Sequence, residues 1–165
     1  MSEHSDRNAN AELLRADLRK AFPEATFTGS VTDADGLQDE ALDEPRALYG
    51  ALRDRKWSEV ERSIVSSFPD GFLLLTDPAF VAFLPAWLLA TLEDHKVRQS
   101  LVYSFSPDVH RSSKEWDPRI RKLTRLQRKT LVAFLRFCLQ VDSSESVKKE
   151  AQNAIAFAER LCAGG

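Results

Sequence analysis

The sequence predicts a mainly α protein, one compact domain of about six helices around a central apolar helix pair, with at most a small β element. Three observations point there. Apolar residues recur at three- and four-residue spacing through most of the chain, the signature of helices with one buried face. The stretch Phe72–Leu92 carries a single charged residue, Asp77, and the richest aromatic and aliphatic content of the protein. Helix punctuation, finally, is frequent: Pro23, Pro45, Pro69 and Pro78 stand at segment edges, and Asn10, Thr124 and Asp142 stand where N-caps belong.

Residues 1–9 read as a disordered or frayed tail, with the folded domain running over 10–165. Asn10 caps a first helix, Ala11–Phe22, that turns Leu13, Leu14, Leu18 and Ala21 inward and stops at Pro23. Ala25–Val31 is β-branched and short, an extended segment or a lone strand, and a turn follows at Thr32–Gly36. Pro45 opens a helix to Arg55 with Leu48, Tyr49 and Leu52 inward. Trp57 marks a corner, Ser58 and Glu61 have capping-box spacing, and a short helix reaches about Ser67.

In the central stretch Asp77 and Pro78 form an N-cap and N1 pair. Pro85 removes a backbone hydrogen bond, which predicts a kink or a break into two short helices. Gln99–Ser106 fits either a last helical turn or a short strand, and Pro107–Pro118 is a polar connector holding Trp116. Thr124 caps a strong helix through Gln140, with Leu126, Leu131, Phe134, Leu135, Phe137 and Cys138 on its inner face. Asp142 and Glu145 repeat the capping-box spacing. The last helix, Ser144–Cys162, buries Val147, Ala151, Ala154, Ile155, Ala158 and Leu161 and ends at Gly164-Gly165.

Composition excludes several classes. A net charge of −2 gives no polyelectrolyte character that would by itself select nucleic acid or membrane. Two cysteines, Cys138 and Cys162, supply neither a disulfide framework nor a metal spacing and suit a reducing compartment. The polar N-terminus lacks the apolar region of a secretory signal. Thr76-Asp77-Pro78 and Pro85 interrupt the apolar run below the roughly 20 residues that a membrane span needs. The expectation is a cytoplasmic protein without cofactor or membrane contact.

Four segments together suggest a family: Trp57-Ser58-Glu59-Val60; Leu75-Thr76-Asp77-Pro78-Ala79-Phe80; Phe83-Leu84-Pro85-Ala86-Trp87-Leu88; and Leu123-Thr124-Arg125-Leu126-Gln127 leading to Phe134-Leu135-Arg136-Phe137. Over roughly Leu13–Gln140 the chain resembles a group of small, uncharacterised bacterial proteins with a tryptophan corner, an Asp-Pro cap, a Phe-Leu-Pro-Ala helix and a Leu-Thr-x-x-Gln helix start. The resemblance implies a bacterial, cytoplasmic, helical domain. It carries no activity, substrate or cofactor.

Charge distribution is the most informative functional signal. Residues 1–109 hold 19 acids against 11 Lys/Arg, whereas residues 110–140 hold nine Lys/Arg against Glu115 and Asp117. Placed on one helix, Arg121, Arg125, Arg128, Lys129 and Arg136 fall within about a third of the circumference. Such a stripe, with Trp116 beside it, suits a partner protein of opposite charge, or phosphates with the indole as a stacking platform. The plainer reading pairs it with the acidic segment 33–44 of the same chain.

Other constellations are weaker. Asp33, Asp35 and Glu44 match positions 1, 3 and 12 of a calcium loop, but Gln38 stands where that loop needs glycine. Glu93, His95 and His110 offer zinc or iron ligands without metal-site spacing, and the plainer place for His95 is a helix C-terminus. The serine pairs at 66–67, 112–113 and 143–144 lack a nucleophile elbow and fit caps and turns. Cys138 lies in an apolar run, where thiols are inert. The function expected is therefore non-catalytic: an interaction protein that binds a macromolecular partner through a charged surface, immunity-type in one concrete form. The alternative is anion or nucleic-acid binding through residues 110–140. The candidate binding residues are Arg121, Arg125, Arg128, Lys129 and Trp116.

Overall fold

A computed structural model describes residues 3–35, 43–107 and 119–164. Among the described residues there are seven α-helices, a further helical stretch at 119–121, two short 3-10 turns and no strand, so the protein is mainly α. The helices are α1 (Glu3–Ala21), α2 (Asp43–Leu52), α3 (Arg62–Ser67), α4 (Asp77–Thr91), α5 (His95–Phe105), α6 (Arg125–Val141) and α7 (Glu145–Ala163). The 3-10 turns are Trp57–Glu59 and Gly71–Leu74. The chain divides into two compact units, one from its two ends (1–23 and 105–165) and one from its middle (24–104).

The middle unit is built on α4. Phe80, Phe83, Leu84, Trp87 and Leu88 are all without exposed surface. α4 packs against α3 and both 3-10 turns. Phe72 meets Trp87 edge-on at 6.2 Å, and Phe27 meets Phe83 edge-on at 5.5 Å. Trp87 donates from its ring nitrogen to the carbonyl of Phe68 at 3.3 Å, so the buried indole keeps a partner. Trp57 is also buried, consistent with a structural corner.

Pro85 does not break this helix, which runs unbroken for 15 residues. A proline in a helix interior costs about 3 kcal/mol or more. Burying one large apolar side chain contributes about 1.5–3 kcal/mol, and α4 buries five without any exposure. The expected helix pair is thus one helix. Its cap is Thr76 rather than Asp77: the Thr76 hydroxyl accepts from the Ala79 N–H at 3.3 Å, and Pro78 sits in the first turn, where a missing N–H is harmless.

The β-branched segment after Pro23 forms no strand. Its Phe27 makes an isolated antiparallel bridge with Arg55, and Thr32, in the turn that follows, makes another with Leu75. Gln99–Ser106 resolves as helix, lying almost wholly within α5. The Ser58–Glu61 box is not formed. Instead Glu59 accepts from the Lys56 N–H at 2.8 Å, and α3 begins at Arg62.

In the unit of the chain ends α1 starts at Glu3, not at Asn10, which lies inside the helix. Glu3 and Asp6 in its first turn complement the positive end of the helix dipole, so a polar stretch without apolar periodicity is helical all the same. Leu14, Leu18 and Ala21 are buried as expected, but Leu13 is 66% exposed. α6 packs against both α1 and α7. Thr124 and Gln127 cap α6 reciprocally, at 3.2 and 2.9 Å. α7 is capped by Ser144, while Asp142 accepts from the Ser144 N–H at 2.9 Å, so the Asp142–Glu145 box is not used. Phe157 takes the buried place expected of Ile155, which is half-buried.

Candidate functional site

α6 is the element on which the charged surface rests. Its sequence contains Arg125, Arg128, Lys129 and Arg136 and no Asp or Glu. The inner arc is apolar: Leu131, Phe134, Leu135, Phe137 and Cys138 are buried, and so is Val132, which lies about 20° from Arg125. Arg125, Lys129 and Arg136 lie within about 40° of one another on the opposite side at 100° per residue, and all three are exposed. Leu126, expected on the inner face, is 45% exposed and flanks them.

The stripe read from the sequence therefore survives only in part. Arg128 is buried, at 9% exposure, and its Nη1 donates to the carbonyl of Leu123 at 3.2 Å. Its guanidinium thus reaches back to the residue before the cap of its own helix. Arg121 is exposed but precedes the cap residue Thr124, so it belongs to the approach to α6 and not to its face. Trp116 lies outside the described residues. Arg136 is not solitary, because it pairs with Glu159 of α7.

The ends of α1 and α6 meet. Gln127 donates from its side-chain nitrogen to the Ala21 carbonyl at 3.2 Å. That bond brings the exposed Arg19 and Lys20 of α1 to the end of α6 that carries Arg125 and follows Arg121 and Lys122. At the other end, Asn10 and Gln140 approach at 3.5 Å beside a recess lined by Asp6, Arg7 and Phe137. α1 and α6 are thus antiparallel, with a cationic end and a mixed end.

The middle unit holds a polar cluster that the sequence did not suggest. Asp94 accepts from the Ser66 hydroxyl at 2.6 Å and from the N–H groups of Lys96 at 2.9 Å and Val97 at 3.2 Å. Burial pushes its pKa up, but the Ser66 hydroxyl, the two N–H groups and nearby Arg62 outweigh that, and the net effect is downward. Arg62 also pairs with Glu93, and Ser100 donates to Asp70. Asp94 begins α5, so His95 sits exposed at a helix N-terminus rather than a C-terminus. The signal was present: Val97, Leu101, Val102 and Phe105 start a fresh apolar period just after an Asp.

Among the described residues no three His, Cys, Asp or Glu side chains are gathered as a metal site, and His110 lies outside them. Both Asp35 oxygens serve the local turn, accepting from the N–H of Val31 at 2.7 Å and of Thr32 at 2.9 Å. The remainder of the calcium-like segment, 36–42, lies outside the described residues. Cys138 is buried and Cys162 half-buried, and neither is joined in a disulfide. No helix among the described residues is long and apolar enough to cross a membrane.

A family model, described as "Family of unknown function (DUF6714)", matches residues 11–159. The chain belongs to this family. The DUF6714 span takes in the whole of α2 to α6 and most of α7, and so extends beyond the Leu13–Gln140 stretch that carried the resemblance in sequence. It includes Glu159, the partner of Arg136, and leaves out the first turns of α1. No curated protein and no solved structure matches the chain.

Proposed function

We propose that this chain acts by binding a partner protein through a charged surface and performs no chemistry of its own. Uneven charge between the two units carries the reading. Residues 1–23 and 105–165 hold 16 Lys/Arg against 11 Asp/Glu, a balance of +5. Residues 24–104 hold 7 Lys/Arg against 14 Asp/Glu, a balance of −7. The chain's net −2 conceals two opposed fields. Surfaces of one sign steer encounter with a partner of the other and repel wrong partners. Masking of a toxic or regulatory protein in a bacterial cytoplasm, an immunity-type role, is the concrete form. Co-purification from the native host tests it at about 50 mM and about 500 mM salt, where screening lengths differ severalfold. A partner held at low salt and shed at high salt is expected. A solitary monomer at both overturns the proposal.

A second reading takes the same cations as an anion or nucleic-acid site. Arg121, Lys122, Arg125 and Lys129 are exposed and close in sequence, which favours it, while the burial of Arg128 removes one of its four residues. A salt-sensitive gel shift at about 50 mM salt, abolished by Arg121→Glu with Arg125→Glu, is its test.

A further inference from the structure

The outward ridge of α6 sets a cation where its helix disfavours one and places an exposed leucine beside it. Arg125 stands in the first turn, where the helix dipole disfavours a cation, and no acidic residue accompanies it there. Leu126, one position on, leaves a large aliphatic side chain 45% exposed, although the sequence offers polar residues all around it. Lys129 and Arg136 extend the ridge, with half-buried Ala133 and exposed Gln140 between and beyond them. A cation that breaks a local rule beside an exposed leucine marks a surface kept for use.

The chemistry of the ridge selects its occupant. Arg125, Lys129 and Arg136, the last of them already paired with Glu159, call for an acidic partner. One exposed leucine flanking them calls for an apolar anchor on that partner, the arrangement by which an amphipathic helix is held along another helix. The ridge carries no aromatic side chain on which bases would stack, which favours a polypeptide over a single-stranded nucleic acid. Resting on the binding reading above, we propose that Arg125, Leu126, Lys129 and Arg136 form a docking ridge for an acidic, leucine-bearing helical segment of another protein. In the free chain Arg136 pairs with Glu159 of α7. Docking exchanges that carboxylate for one of the partner's, so Glu159 acts as an internal competitor.

The test titrates the full chain with a labelled helical peptide of about 18 residues built from Glu, Leu and Ala, glutamates spaced four apart, in about 50 mM salt. Controls are the same peptide with Lys for Glu and a single-stranded oligothymidylate. The acidic peptide binds, the lysine peptide does not, and raising salt to about 300 mM weakens binding on the order of tenfold. Arg125→Glu with Lys129→Glu weakens it at least as much. Leu126→Ala weakens it severalfold without changing the salt slope, and Glu159→Gln tightens it. Circular dichroism confirms that each variant is folded.

Peptide binding that is absent, or unchanged in the double variant, overturns the ridge. So does tighter binding of the oligothymidylate that ignores Leu126→Ala, which makes the surface a phosphate site. Sedimentation of the chain alone, showing a dimer that the double variant loses, overturns it by making a second copy the occupant. If a host partner is still captured by the double variant, the ridge fails while the broader binding reading stands. If the host yields no partner yet the peptide binds as described, the broader reading fails and the ridge remains.

Discussion

Gln127 donates to the carbonyl of Ala21 at 3.2 Å, joining residues 106 positions apart. Its other side-chain atom, the oxygen, accepts from the Thr124 N–H at 2.9 Å. One amide therefore closes the N-terminus of α6 and satisfies a carbonyl left without an intrahelical partner at the end of α1. The bond to Ala21 is buried, whereas the one from Thr124 is only partly so, and removal of Gln127 leaves the Ala21 carbonyl without this partner. Gln127→Ala loses both and should cost about 1–3 kcal/mol. Gln127→Glu keeps the acceptor for Thr124 but turns a carboxylate toward a carbonyl, and should destabilise at least as much. Urea denaturation measures both; a Glu variant as stable as the parent would show that the bond to Ala21 contributes nothing.

Asp94 makes stability depend on pH in a defined direction. Its native pKa lies below the ordinary 3.8, because hydrogen bonds from Ser66, Val97 and Lys96 and the charge of Arg62 outweigh burial. The unfolded chain binds the proton more tightly than the native one. The contribution is therefore complete above the unfolded value and is lost as pH falls through the lowered native value. Asp94→Asn retains a capping side chain but not the charge. The stability gap between the two proteins should be widest near neutral pH and should narrow below about pH 4. Denaturation at about pH 7, 5 and 3.5 measures it, and a gap independent of pH would remove the charge from the account.

How far these features could be read beforehand depends on what kind of signal each one has. The Thr124–Gln127 box and the buried Leu131, Phe134, Leu135 and Cys138 follow from spacing alone, since capping and helical period are both local. Arg128 does not. It lies 60° from Arg125 on a helical wheel, at the edge of the apolar arc. Only the position of the Leu123 carbonyl decides that it folds inward. Adjacent cap-type residues leave a one-residue ambiguity, as with Thr76 and Asp77. The spacing sets His95 at a helix C-terminus because the charged triplet 93–95 hides the start of the next helix. The bond from Gln127 to Ala21 has no sequence signal at all, because it depends on two helices meeting.

Gly71 is set by crowding. A Cβ there would meet the Phe68 side chain at 3.1 Å and those of Leu48 and Trp87 at 3.2 Å each. Leu48 and Trp87 have no exposed surface, and Phe68 is met at its Cβ, which is fixed by the backbone, so none of the three contacts is a free side-chain end. Gly71→Ala should cost about 1–3 kcal/mol, the usual penalty for overpacking. Thermal unfolding checks it; a neutral or stabilising result would mean that the 71–74 turn shifts freely.

Trp87 separates packing from hydrogen bonding in one series. It has no exposed surface and donates to the Phe68 carbonyl at 3.3 Å. Trp87→Ala should cost about 3–5 kcal/mol through the cavity it leaves. Trp87→Phe keeps most of the ring volume and loses the donor, so it should cost appreciably less. Equal losses for the two would place the stabilisation in the Phe68 bond rather than in the packing against Phe72.

Arg125 offers the opposite sign. It occupies the first position of α6 after Thr124, is exposed, and stands at the positive end of the helix dipole. Arg19, Lys20, Arg121 and Lys122 add further positive charge at the same end of the unit. Replacing Arg125 with Glu removes repulsion from both sources and sets a carboxylate where a helix favours one. The variant should gain about 0.3–1 kcal/mol, more at low ionic strength than at high, because both effects are screened by salt. Arg125→Gln should gain roughly half as much, having removed the cation without adding the anion. Urea denaturation of the three proteins at about 20 and about 300 mM salt reads this directly. A loss of stability on Arg125→Glu would show that the arginine is held by a favourable contact, and the cationic end of α6 would then be a structural feature of the unit rather than a surface kept for a partner.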